Sequence, residues 1–143
     1  QMKSAPTHIF LQAGFGGLAA ACAAYFRSTW VDAPNITVVE PEAAPALHDA
    51  IQAGRVVSAT GPVSSMGRLD CKEASMIALN GLARDADRFV LLSDDEVEDV
   101  MPDLADLGLA TTPSGGAGLA AALLGKVDLP SDARILVILS EEA

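Results

Sequence analysis

The chain has 143 residues, 50% of them apolar, and a formal net charge of −10 from 9 basic and 19 acidic side chains. That length and composition suit one domain with a buried core, and so acidic a chain offers no basic face to nucleic acid or to an anionic membrane. The two cysteines, Cys22 and Cys71, are too few for a disulfide framework and lack metal-ligand spacing, so reduced thiols and no metal site are expected.

Residues 1 to 7 read as a polar lead-in, without the pattern of a signal peptide. The short apolar run Ile9 to Leu11 predicts a buried strand. Gly14-Phe15-Gly16-Gly17 then turns the chain into an alanine-rich segment that predicts a helix. The apolar stretch of that helix, Leu18 to Phe26, is far shorter than a membrane span. A cytoplasmic protein is expected. Asp32-Ala33-Pro34-Asn35 is turn material. The β-branched run Ile36 to Glu40 predicts a second strand, stopped by Pro41, which makes the opening a βαβ unit with a parallel strand pair.

Ala43 to Ala53, with Leu47 and Ile51 four apart, predicts a short helix that ends at Gly54. Arg55 to Gly61 reads as a short strand or extended loop, and Gly61-Pro62 opens an irregular stretch. Helical spacing returns from Glu73 to Ala86, and Arg88 to Leu92 predicts a brief strand. Ser93-Asp94-Asp95-Glu96 has the form of a helix cap with acidic first-turn residues, a solvated helix start rather than a metal site. Thr112-Pro113-Ser114-Gly115-Gly116-Ala117-Gly118 predicts a second glycine-rich turn, leading into a helix at Leu119 to Leu124. After Pro130-Ser131-Asp132, the run Ile135 to Leu139 predicts a central parallel strand followed directly by Ser140-Glu141-Glu142-Ala143. Open α/β sheets place their ligand-binding loops at that end of a strand, so the chain is expected to be cut from a longer one there.

The chemistry concentrates at the first glycine turn. The first turn of a helix leaves amide N–H groups unpaired at the positive end of the macrodipole, and glycines let an anion approach them closely. Three glycines in four residues exceed the needs of a tight turn without a ligand, the bland alternative. Two ligands compete. Gly14-x-Gly16-x-x-Ala19 with Glu40 at the end of the next strand satisfies a dinucleotide fingerprint, in which Glu40 would hold a ribose 2′-hydroxyl. That reading leaves the second glycine segment and Ser140 unexplained.

The other ligand comes from a family resemblance over nearly the whole chain. Ile9-Phe10-Leu11-Gln12-Ala13-Gly14-Phe15-Gly16-Gly17-Leu18-Ala19 resembles the phosphate-cradling loop of the fold-type-II pyridoxal-phosphate enzymes, the group containing threonine dehydratase, serine racemase and the tryptophan synthase β chain. Val38-Val39-Glu40-Pro41, Pro113 to Leu119 and Ile138-Leu139-Ser140 follow in the order that group shows. Within it, the Gln-Ala-Gly-x-Gly form and Gly67-Arg68-Leu69-Asp70-Cys71-Lys72-Glu73-Ala74-Ser75 look most like diaminopropionate ammonia-lyase, whose loop has a Gly-Leu-x-Cys-Gly-Glu run. Lys72 stands where that run has glycine, and Arg68 replaces a small residue.

The resemblance implies an α/β fold: a three-layer, open, mostly parallel sheet with helices on both faces, as a partial tryptophan synthase β-like domain. It implies pyridoxal 5′-phosphate as cofactor, with Gly14, Phe15, Gly16 and Gly17 offering backbone N–H groups to its phosphate and Ser140 facing its pyridine nitrogen. A hydroxyl there does not keep the nitrogen protonated as a carboxylate would, which favours β-elimination. Cys71 and Glu73 would lie near the substrate side, a surface loop being the alternative. The chemistry needs a Schiff-base lysine, which the family carries well before the phosphate loop; Lys3, Lys72 and Lys126 do not sit in that setting. The 143 residues are therefore expected to be a carboxyl-terminal part of the large domain, inactive alone, lacking the lysine region and the small domain. The parent would remove both amino groups of 2,3-diaminopropionate, giving pyruvate and ammonia. A threonine or serine dehydratase is the alternative, as is a non-catalytic binding module. A small amino-acid substrate and a homodimeric parent are implied.

Overall fold

A computed structural model describes residues 4–30 and 34–143. Lys3 and the turn residues Asp32 and Ala33 lie outside the described residues. Among the described residues, four strands and five helices follow in the order β1 (His8–Gln12), α1 (Gly17–Trp30), β2 (Asn35–Pro41), α2 (Ala46–Ala53), α3 (Met76–Asp85), β3 (Arg88–Leu92), α4 (Asp94–Asp106), α5 (Pro113–Leu123) and β4 (Ile135–Val137). The strands form one parallel sheet in the order β3-β2-β1-β4.

Alternation along the inner strands divides the core into two. Ile9 and Leu11 of β1 and Ile36 and Val38 of β2 face one side, where they pack with Ala19 and Ala23 of α1, Leu47 of α2 and Leu82 of α3. Phe10 and Val39 face the other side, against Val97 and Leu104 of α4 and Ala117, Ala120 and Ala121 of α5. Helices on both faces of a parallel sheet are the three-layer fold expected, and they explain why the inner strands read as continuous apolar runs. Each fully buried large side chain here contributes about 1.5–3 kcal/mol.

Three expectations change. The second helix begins at Ala46 rather than Ala43, because Pro45 disfavours helical geometry at the residue before it. The third begins at Met76 rather than Glu73, where Ser75 caps it by accepting from the Ala78 amide. The second glycine segment is not a turn before a helix but the helix itself. Thr112 accepts from the Gly115 amide at 3.0 Å, Pro113 occupies the first turn, and α5 therefore starts six residues before Leu119. Its glycines serve packing. A Cβ at Gly118 would stand 2.8 Å from Gln12 Oε1 and 3.2 Å from the Phe10 carbonyl oxygen, so α5 can press onto β1 only without one.

The run Ile135 to Leu139 also differs from expectation. Only Ile135–Val137 form a strand, and it lies at an edge of the sheet, paired to β1 alone, with Ile135 42% exposed. The chain leaves the ladder because its next residues are held by α5: the Ser140 amide donates to the Gly115 carbonyl at 3.4 Å, and the Thr111 hydroxyl to the Glu141 carbonyl at 2.6 Å.

Glu40, 0% exposed, ends β2 beneath α2. The Leu47 and His48 amides donate to its two carboxylate oxygens at 2.6 and 2.8 Å, so a buried carboxylate caps a helix whose preceding residue, Pro45, provides no side-chain cap. Burial outweighs those two hydrogen bonds and raises the carboxyl from 4.5 to about 7.

Two outcomes are expected. Gly118→Ala lowers stability by about 1–3 kcal/mol, read as a lower urea midpoint. For Glu40, the native state binds a proton that the unfolded state has released between its 4.5 and about 7, so stability falls as pH rises through that window and levels off above it. The urea midpoint of the chain should drop between about pH 5 and pH 8, by a Glu40 contribution of up to about 3 kcal/mol. Glu40→Gln should remove that slope; an unchanged slope in the variant would assign it to another group.

Candidate functional site

The carboxyl end of β1 opens into a cleft of about 190 Å³ whose lining includes Gln12, Gly14, Phe15, Gly16, Gly17, Arg68 and Ser140. The two segments that the sequence analysis joined only through resemblance, the glycine turn and Ser140, thus line one space.

Gly16 forms the turn at φ 95°, a left-handed conformation that side chains disfavour, and a Cβ there would stand 3.0 Å from both Ala78 and Leu47. Its carbonyl accepts the Ala20 amide at 2.8 Å, the first bond of α1. The amides of Gly17, Leu18 and Ala19 precede any acceptor within the helix, and Gly16 has no side chain to serve as one. Beside Gly17 a Cβ would meet nothing within 4 Å, so the approach to this helix end is open. The turn is anchored from behind: the Ser75 amide donates to the Phe15 carbonyl at 3.0 Å, and Gly14 packs against the Arg68 carbonyl and Cys71. Unpaired first-turn N–H groups at the open, positive end of a helix dipole suit an anion such as a phosphate.

The other candidates separate. Cys71 stands against the turn, with the Phe15 amide facing its sulfur, so that amide already has a partner within the chain. Burial pushes the Cys71 thiol up despite that contact, so it stays a neutral thiol. Glu73 accepts from the Ser58 hydroxyl and does not line the cleft. Lys72 donates from Nζ to the Ala43 and Pro62 carbonyls, each at 2.8 Å, and to Asp70 Oδ1 at 2.6 Å. It is a clamp on the loop, and its bond holds the Asp70 carboxyl below the usual range. Lys126 pairs with Glu96 at 2.6 Å. Arg68, with its side chain 83% exposed, brings a positive charge to the cleft rim, 3.7 Å from Glu141.

Glu40 corrects one reading. It is 0% exposed, with both oxygens turned to the α2 amides beneath the surface, so it is out of reach of a ribose hydroxyl and the dinucleotide expectation fails. The acidic residues after Ser93 form the capping box expected of a helix start, with the Glu96 amide donating to Ser93 and the Ser93 amide to Glu96. Among the described residues no group of three or more potential ligands could hold a metal ion, and no helix is long and apolar enough to cross a membrane.

Sequence reasoning missed Gln12. Its side chain is 5% exposed, and Nε2 lies 3.0 Å from the Gly115 carbonyl, 2.8 Å from that of Ile138 and 3.1 Å from Ser140 Oγ. The available signal was a glutamine closing an apolar buried strand, where an amide must find partners.

A comparison with characterised proteins by sequence found no significant match. Solved structures do match. Processed threonine deaminase isoform 2 from Solanum lycopersicum is 22% identical with a TM-score of 0.88, over 100% of this chain and 42% of that one. Escherichia coli diaminopropionate ammonia lyase, in complex with an aminoacrylate-PLP azomethine intermediate, is 25% identical with a TM-score of 0.87, over 99% of this chain and 40% of that one. Maize serine racemase is 22% identical with a TM-score of 0.84, over 94% of this chain and 42% of that one. The chain thus spans 42%, 40% and 42% of the three, less than half of each. Residues 1–141 match the family model described as pyridoxal-phosphate dependent enzyme, so the chain belongs to that family.

Proposed function

We propose that the chain is the phosphate-binding part of a pyridoxal-phosphate lyase that eliminates ammonia from a small amino acid, with 2,3-diaminopropionate as substrate and pyruvate and ammonia as products. The observation that carries the cofactor role is the Gly14–Gly17 turn, with Gly16 at φ 95°, opening an uncapped helix into the cleft that Ser140 also lines. The bound cofactor supplies the electron sink for loss of the substrate's α-proton.

The chain's own residues then have separate tasks. Gly14, Gly16 and Gly17, with the first-turn amides of α1, hold the phosphate; Phe15, whose amide faces Cys71, shapes the turn more than it binds. Ser140 would face the pyridine nitrogen with a neutral hydroxyl, which would not keep that nitrogen protonated and so favours elimination. Lys72 and Lys126 are committed to other partners, and none of the three lysines has the family's sequence setting, so in this reading the Schiff-base lysine and the small domain come from outside these 143 residues. The parent works as a cytoplasmic homodimer.

Diaminopropionate is favoured over threonine or serine by the Gln12-Ala13-Gly14 form of the loop and the Leu69-Asp70-Cys71 segment behind it, which resemble the diaminopropionate lyases. The dehydratase alternative differs in the leaving group. The test is the polypeptide carrying these residues together with the lysine region, purified with pyridoxal phosphate. Borohydride should abolish its visible absorbance, and pyruvate should form from 2,3-diaminopropionate at least about tenfold faster than from serine. Faster release of 2-oxobutyrate from threonine would establish the dehydratase alternative, and no borohydride-sensitive band would refute both.

A further inference from the structure

We infer that Gln12 is a positioning residue, whose side-chain amide holds the Ser140 hydroxyl so that its proton points into the cleft as a donor to an unprotonated pyridine nitrogen. This rests on the cofactor reading above.

The geometry is closely constrained. Gln12 follows Phe10 on the α5 face of β1 and reaches across to the end of β4. Its Nε2 sits among the Ile138 carbonyl at 2.8 Å, the Gly115 carbonyl at 3.0 Å and Ser140 Oγ at 3.1 Å. The two carbonyls fix which way the amide lies, since an oxygen in that place would face two acceptors. Nε2 has two hydrogens for these three acceptors, so one hydrogen is shared between Ser140 Oγ and a carbonyl. The nitrogen has no lone pair to offer, so Oγ accepts in this contact and its single proton points elsewhere. Ser140 is exposed and lines the same cleft as the glycine turn, a direction open to that proton. A hydroxyl so held complements a bare ring nitrogen and not a pyridinium N–H.

A second observation separates this from an ordinary structural tie. The oxygen of the same amide, Gln12 Oε1, is buried without a partner. The side chain is thus oriented for what its nitrogen holds, at the expense of its oxygen. Ser140 is further fixed through the backbone, its amide donating to Gly115 and its neighbour Glu141 accepting from Thr111. Only the hydroxyl rotor is left to set, and Gln12 sets it.

The test uses this chain with pyridoxine 5′-phosphate labelled with nitrogen-15 in the ring, a probe with no aldehyde to react with surface lysines. Phosphorus NMR reports whether the phosphate is bound, and the nitrogen-15 shift across a pH series gives the ring-nitrogen pKa in the complex. The chain, Gln12→Met, Ser140→Ala and the double variant are compared, with urea midpoints confirming that each is folded. Ser140→Ala should raise the ring-nitrogen pKa by about one unit. Gln12→Met should raise it by at least about half as much, and the double variant should match Ser140→Ala, since Gln12 acts through the hydroxyl. If Gln12→Met does not fold, Gln12→Asn, which keeps a buried amide too short to reach Ser140, should give the same shift. A phosphorus shift with a nitrogen pKa unmoved by the Gln12 variants would overturn the inference alone. No phosphorus shift in any of the proteins would overturn the cofactor reading and the inference with it.

Discussion

Every helix that starts at the end of a strand must find acceptors for its first amides, and how each helix here does so determines what the carboxyl end of the sheet can do. Ser75, Ser93 and Thr112 cap α3, α4 and α5 with their own hydroxyls. The α2 helix borrows the buried Glu40 carboxylate from β2. The α1 helix follows Gly16, which has no side chain to give, and its first turn opens into the cleft. In the proposed function a ligand with several acceptor oxygens would complete that helix end, as the chain completes the other four.

The same constraint separates two ligands that share a glycine turn. A dinucleotide site needs the acidic residue at the end of the second strand to be free for a ribose, and here it is consumed by α2. The proposed phosphate-anchored pyridine ring would meet the neutral Ser140 hydroxyl across the cleft, which requires the end of β4 to be brought to the mouth of β1. The close approach of α5, permitted at Gly118, does this: it carries Thr111, Thr112 and Gly115 to where they hold residues 140 and 141, and Gln12 reaches the same place from beneath. Packing on one face of the sheet is thereby coupled to the composition of the cleft.

Much of this was legible in the chain. The apolar runs Ile9 to Leu11 and Ile36 to Val39, the alanine-rich helix between them and the Ser93 to Glu96 cap all carry local signals that the packed molecule keeps, because period and capping are local properties. The glycine turn could be located because glycine at a strand-helix junction has a steric meaning independent of the rest of the fold. The misreadings came where tertiary partners decide. Gly115, Gly116 and Gly118 signal a turn in isolation and a close helix-sheet contact in context. Ile135 to Leu139 has the composition of a central strand but lies at an edge, drawn off its ladder by α5. The roles of Gln12, Glu40 and Lys72 depend on partners far away in the sequence or across a loop, which no periodicity encodes.

The central claim is that the first turn of α1 is completed by a phosphate. Amide chemical-shift mapping of the labelled chain during titration with pyridoxal 5′-phosphate, compared with NADH, tests it most directly. The account predicts the largest saturable shifts at Gly16, Gly17, Leu18 and Ala19 with pyridoxal phosphate, little change at Leu47 and His48 where Glu40 is engaged, and no comparable response to NADH. Shifts scattered over the surface lysines with the α1 amides unmoved, or saturation by NADH at the same turn, would contradict it.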